Sequence, residues 1–415
     1  MPRLADSPWP YATADFRDSR ASRFPGARHG RIRWRRSLGV ARQDNFVWRY
    51  QRPSAPLVRG DGAILTDWNG LVRAFSTDGA PQWEHDFVFE PKANWAFHWG
   101  GLLLVDDRDR AWVRTRNGLL GVSPSGEVET LVEAAKGENP GTPFPGGGFV
   151  RVYGTDDGYW TGHSPCAAGR IEVLDDGANL IAAHDVDAAP GAYPPVRILD
   201  DDRAVVLFSY DFAPPPHPRE EWVVDRMGRV VDRRPLAPVG VPAALAGHLY
   251  LERNMVQASD GRTIRLPGER VWGSRQPEEF LIGAEAADGF LAVLQVAWGT
   301  GTRVRMWSPS GGELADVPCA AWDGPVVDRD GAMFLCVREG NALRLVLVRG
   351  GTVEFRCTLQ DGVAFGNYAY PHGGLPSSVW SSTGWFHAPC SIGPDGTTLV
   401  VSDVGPGACV LFCVE

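Results

Sequence analysis

Short apolar stretches, cut at close intervals by glycine, asparagine and aspartate, run through most of the chain. The pattern is clearest from Ala55 to Phe87, APLVRGDGAILTDWNGLVRAFSTDGAPQWEHDF. APLV reads as a strand and Gly60-Asp61-Gly62 as a turn. AILTDW follows, then Asn69-Gly70, a strong hairpin signal. LVRAFST leads to a turn at Asp78-Gly79, and PQWEHDF closes the unit. Tight turns joining four short strands predict an antiparallel meander, the blade of a β-propeller.

The unit recurs in degenerate form. Strand-like runs separated by turn residues fill 101–132, 148–187, 196–236, 280–314 and 324–359, and a shorter, irregular unit lies near 247–266. The last unit, 388–414, holds only three runs. An unpaired edge there invites association with other chains. The segment Gly30-Arg31-Ile32-Arg33-Trp34-Arg35-Arg36-Ser37-Leu38 reads as the missing fourth strand. The expectation is an all-β chain forming a single β-propeller of about eight four-stranded blades, or about seven if the 247–266 unit is not one. Residues 1–29 would be a lead segment and 30–415 the propeller, with strand 31–38 completing the C-terminal blade. Proline and glycine leave no helical pattern of useful length.

Composition narrows the class. The 49 glycines and 33 prolines are spread between the apolar runs, as turn punctuation, and the 16 tryptophans supply large rings for packing. The net charge of −9 has no basic stripe, which argues against nucleic acid and a membrane surface. The N-terminus lacks an apolar signal core and no run approaches a membrane span, so a cytoplasmic monomer is expected. The seven cysteines include no CxxC pair and read as small buried hydrophobes. Paired acidic residues at 106–107, 156–157, 175–176 and 200–202 fit local turn bonding, and no metal-ligand spacing occurs.

The run Thr77-Asp78-Gly79-Ala80-Pro81-Gln82-Trp83 resembles the quinoprotein-like propeller repeat. So do the lead elements Ser7-Pro8-Trp9-Pro10, Phe16-Arg17-Asp18 and Gly30-Arg31-Ile32-Arg33-Trp34. The resemblance implies that the turn glycine and the following tryptophan dock one blade on the next. It covers the fold and not the activity. The quinone-dependent dehydrogenases of that superfamily carry a vicinal cysteine pair, absent here, so no cofactor is expected.

Candidate site residues lie in the segments leading into each blade's innermost strand. These are Trp48 and Arg49, Trp95 and His98, Tyr193, Trp272 and Arg275, Trp322 and Asp323, and His372, Trp380, Trp385 and His387. Aromatic rings with a few polar groups are the usual lining of a ligand pocket. The segment 360–387, with Tyr370, His372 and Trp380, is the longest irregular connection and reads as a lid. The proline-rich run 212–218 reads as a stiff loop between two strands of one blade.

Two functions fit this pattern. One is a binding propeller that takes a peptide, protein or small molecule at the aromatic-rimmed mouth of its channel. The other is a lyase, cyclase or hydrolase of a natural product or peptide, with His98, His387 and Asp323 as acid–base groups. Cys390 lies three residues beyond His387, but positions three apart on a strand point to opposite faces.

Overall fold

The computed structural model describes residues 5–10, 21–40, 55–68, 71–86, 101–115, 118–133, 141–144, 146–154, 169–186, 196–208, 220–235, 249–252, 255–257, 263–265, 280–285, 291–297, 301–307, 312–319, 325–363, 390–405 and 408–415. Among them the regular structure is strand, apart from one short 3-10 turn at Pro394–Gly396.

The strands are, in chain order, β1 (Ile32–Val40) and then eight groups. Sheet 1 holds β2 (Leu57–Val58), β3 (Ile64–Trp68), β4 (Leu71–Phe75) and β5 (Pro81–Asp86). Sheet 2 holds β6 (Gly101–Val105), β7 (Ala111–Thr115), β8 (Gly118–Val122) and β9 (Val128–Glu133). Sheet 3 holds β10 (Thr142–Pro143), β11 (Phe149–Gly154), β12 (Gly169–Leu174) and β13 (Leu180–Val186). Sheet 4 holds β14 (Val196–Ile198), β15 (Arg203–Phe208), β16 (Glu220–Asp225) and β17 (Val230–Pro235). Sheet 5 has three strands, β18 (Leu249–Glu252), β19 (Met255–Gln257) and β20 (Thr263–Arg265), where the sequence pattern is weakest. Sheet 6 holds β21 (Phe280–Glu285), β22 (Leu291–Ala297), β23 (Gly301–Trp307) and β24 (Glu313–Cys319). Sheet 7 holds β25 (Val326–Val327), β26 (Met333–Glu339), β27 (Ala342–Arg349) and β28 (Thr352–Gln360). Sheet 8 holds β29 (Cys390–Ile392), β30 (Thr398–Gly405) and β31 (Ala408–Val414), with β1 as its fourth strand.

Every sheet is a sequential antiparallel meander, the blade architecture of a β-propeller. In sheet 8 the N-terminal strand supplies the missing partner, from Ile32 opposite Val414 to Val40 opposite Ala408. The chain packs as two compact units. One is Met1–Ala5 with Asp86–Val241, and the other is Asp6–His85 with Pro242–Glu415.

Burial falls from the first strand of a sheet to the fourth. β2, β3, β25 and β29 are wholly buried, whereas β5 has no buried position and β28 is exposed or half-buried along its first five residues. Inner strands therefore read as unbroken apolar runs and outer strands as period-two patterns.

One turn recurs between first and second strands and between third and fourth. The first residue's N–H donates to the fifth residue's carbonyl, and the fourth residue's N–H returns to the first carbonyl. Ser76 to Ala80 and Asp225 to Arg229 show it, as do Asp106 to Arg110 and Asp328 to Ala332. This is a type I turn with a left-handed residue that creates a bulge. Gly79 takes that position with φ of +79°, and Ala178 takes it in sheet 3 with φ of +63°.

That left-handed residue also docks neighbouring sheets. The Trp34 ring of β1 lies flat on Gly79, so close that a Cβ on Gly79 would fall 2.7 Å from Trp34 Cδ2. Trp34 Nε1–H donates to Thr77 O at 2.9 Å. Phe355 of β28 covers Gly30 in the same way, with 2.7 Å to its ring. Ala182 of β13 sits beneath Gly228, while His184 Nε2–H donates to Gly228 O at 2.7 Å. Each docking residue follows its own turn's left-handed residue by four positions: Gly30 and Trp34, Gly351 and Phe355, Ala178 and Ala182. The glycine-to-tryptophan docking implied by the quinoprotein-like repeat is thus present, with phenylalanine or alanine replacing tryptophan elsewhere.

In the second unit the lead segment is bonded to three sheets. Val58 N–H donates to Trp9 O at 2.8 Å, and Ser7 Oγ donates to Val58 O at 2.5 Å. Ala21 forms a parallel bridge with Val327, and Ser22 N–H donates to Val327 O at 2.8 Å. Gly26 N–H and the Arg28 guanidinium both donate to Asp328 Oδ2, and Ala27 N–H donates to Thr398 Oγ1 at 3.1 Å. The lead therefore satisfies the free inner edges of β2 and β25, where bare backbone groups would be buried without partners.

Candidate functional site

The two ends of the sheets differ in kind. The five-residue turns gather at one end of each meander. The opposite end carries the second-to-third connections and the approaches to the next first strand. These vary from 406–407 to 364–389. Regular turns serve the scaffold, while variable connections are where binding residues concentrate.

Every residue singled out from the sequence falls between a fourth strand and the next first strand. Trp48 and Arg49 lie between β1 and β2, and Trp95 and His98 between β5 and β6. Tyr193 lies between β13 and β14, and Trp272 and Arg275 between β20 and β21. Trp322 and Asp323 lie between β24 and β25, and His372, Trp380, Trp385 and His387 between β28 and β29. All of them, with Tyr370 and the rest of the proposed lid, lie outside the described residues, as does the proline-rich run 212–218.

The described residues add a charged cluster at the same end of sheet 3. Arg151 stands opposite Glu172, Tyr153 opposite Arg170, and Arg170 opposite Asp185. Alternation places all five on one face, while Val150, Val152, Ile171 and Val173 fill the other. Arg151 Nε and Tyr153 OH donate to Glu172, both at 2.7 Å, and Arg170 Nη1 donates to Asp185 at 2.8 Å. Sequence reading missed this group, although Arg, Tyr and Arg, Glu at alternate positions on consecutive strands was the available signal.

Burial opposes ionisation of Glu172, but hydrogen bonds from Tyr153 and Arg151 outweigh it and hold the carboxyl below its usual range. Burial, then the bond to Glu172, pushes the Tyr153 phenol up to about 12. A phenol raised on folding contributes stability below its ordinary pKa, and that contribution is lost as pH rises through the folded value. The stabilisation from Tyr153 therefore disappears between about pH 10 and 12. Absorbance at the phenolate band should show one late-titrating tyrosine, missing in Tyr153→Phe. An unchanged late phase in that variant would assign it to another residue.

The Asp106 carboxylate is taken up by its own turn and the strand that follows it. Asp106 Oδ1 accepts from the N–H groups of Arg108 and Arg110, and its Oδ2 from Arg110 Nε and Trp112 Nε1. No group of metal-ligating side chains assembles among the described residues. Cys336, Cys357, Cys390, Cys409 and Cys413 are all buried. Burial pushes the Cys413 thiol up to about 11 and also raises Cys357, so both stay protonated near neutrality. Cys390 is buried in β29, so it is not an exposed nucleophile.

No protein-family model matches the chain, and no curated protein sequence matches it. Among solved structures it is similar to the dihydro-heme d1 dehydrogenase NirN in complex with DHE, with a TM-score of 0.45 and 15% identity over 89% of this chain and 74% of that one. It is also similar to the Neurospora crassa Pan2 WD40 domain, with a TM-score of 0.42 and 9% identity over 94% of this chain and 98% of that one. A eukaryotic initiation factor gives 0.44 and 9% identity over 85% and 82%. The assignment to the β-propeller class rests on the strand pairing itself. No helix among the described residues is long and apolar enough to cross a membrane.

Proposed function

We propose that the chain is a binding protein that takes a peptide, protein or small molecule on the connections opposite its regular turns. One observation carries this reading. What supports it is that each aromatic, histidine and arginine candidate occurs in the sequence between a fourth strand and the next first strand. Aromatic rings with sparse polar groups supply contact area and orientation together.

A thermal-shift screen of peptides and heteroaromatic compounds tests it. A ligand that raises the melting temperature should lose its effect in Trp95→Ala and His98→Ala or, where it binds the other unit, in His387→Ala. It should keep its effect in Met227→Ala, an exposed residue of a tight turn. A shift that survives all three connection variants removes the assignment. The lyase, cyclase or hydrolase reading makes a different prediction. There the compound is consumed, and the histidine variants bind it without converting it.

A further inference from the structure

Sheet 1 presents three unpaired hydrogen-bond donors on one face. Thr66 of β3 stands directly opposite Arg73 of β4, and Trp68 lies two residues along the same strand. Register therefore puts all three on one side of the sheet. Opposite Cβ atoms in such a pair are about 5 Å apart, and positions i and i+2 about 7 Å. Thr66 is 1% exposed and Trp68 4%. Thr66 Oγ1, Trp68 Nε1 and Arg73 Nη1 are buried without a hydrogen-bond partner. The other side of the Arg73 guanidinium is engaged, since its Nε donates to Glu84 Oε2 at 2.5 Å.

A buried donor without an acceptor costs about 1–3 kcal/mol. Three at one register pair and its neighbour are a concentration that packing does not require, since valine and phenylalanine would fill the same space. Trp68 is also the last residue before the 69–70 connection, so the group lies at the variable end of its sheet.

We propose that this face of sheet 1 binds a carboxylate. Two carboxylate oxygens offer enough lone-pair sites for an indole N–H, a hydroxyl and a guanidinium N–H together. Arg73 supplies the charge that makes such bonds strong. The inference rests on the binding function proposed above and names the ligand chemistry it requires: a small organic acid or the free C-terminus of a peptide.

Thermal denaturation of the full chain with benzoate, N-acetylphenylalanine or N-acetylphenylalanine amide tests it. The carboxylates should raise the melting temperature and the amide should not, because only a ligand that binds the folded chain stabilises it and the amide lacks the charge that pairs with Arg73. Benzoate alone acting points to a small acid, and N-acetylphenylalanine alone acting points to a peptide terminus. Thr66→Val and Trp68→Phe should melt at or above the parent temperature without ligand and lose the shift. Absence of any carboxylate shift overturns the proposal. So does a lower melting temperature in both variants, which would mean that ordered water already satisfies these donors. A shift abolished by Trp95→Ala but untouched by Trp68→Phe would sustain the connections as the site and remove this face. The reverse result would sustain this face and remove the connections.

Discussion

Replacing Gly79 by alanine should lower stability by about 2–4 kcal/mol, the sum of left-handed backbone strain and overpacking against a ring. The site has both problems. Its φ is +79°, and the new Cβ would stand 2.7 Å from Trp34. The ring has little freedom to retreat, because its indole N–H is bonded to Thr77 O. Gly340 provides the control. Its φ is +59° and nothing lies within 4 Å of the Cβ that alanine would add, so the substitution meets strain alone and should cost about 1–2 kcal/mol. Urea denaturation of the two variants measures the difference. Equal losses would show that Trp34 docking contributes nothing, and the account of how sheets 8 and 1 hold together would be wrong.

Asp328→Ala is the second large effect. The side chain is 0% exposed and its carboxylate serves two structures at once. Oδ1 accepts from the N–H groups of Asp330 and Ala332, both at 2.9 Å, which shapes its own turn. Oδ2 accepts from Gly26 N–H at 2.9 Å and from Arg28, which fastens the lead segment. Removing one partner of a buried charged pair costs about 3–5 kcal/mol, because the remaining groups stay desolvated. Asp175 shapes an equivalent turn through Gly177 and Asn179, without tying down a distant segment. Asp175→Ala should therefore cost much less, because its bonds are local and exposed to water. Protease digestion should separate the two variants further, with cleavage in the lead accelerated only in Asp328→Ala. Comparable losses in both would mean that the lead is not held through Asp328.

The fold was legible because its turns are chemically specific. Asp-Gly pairs and interrupted apolar runs located the strands of sheet 1, and the three-run C-terminal unit required a partner that β1 supplies. The docking rule was legible only at Trp34. At Phe355 and Ala182 the same register is kept by residues that carry no repeat signal, since what matters there is fit against a glycine four residues into the next turn. The role of the lead was hidden for a different reason. Its bonds to β2 and β25 are largely through backbone, so residue identity at Trp9 and Ser22 does not announce them. The Tyr153–Glu172 group was missed because each member looks like an ordinary surface residue until the strand register brings them together. For the candidate site residues the sequence could mark only the segments, each between a fourth strand and the next first strand. The carboxylate face at Thr66, Trp68 and Arg73 could not be read in advance, because an unsatisfied donor is a property of packing and not of residue type.

The central claim is that ligands bind at the variable ends of the sheets. Fragment soaking into crystals of the protein tests it most directly. Fragments should bind at the fourth-to-first connections, such as those that carry Trp322 or Trp380, with acids reaching Trp68 and Arg73. Fragments bound only against the regular turns, around Met227 and Asp225, would contradict it.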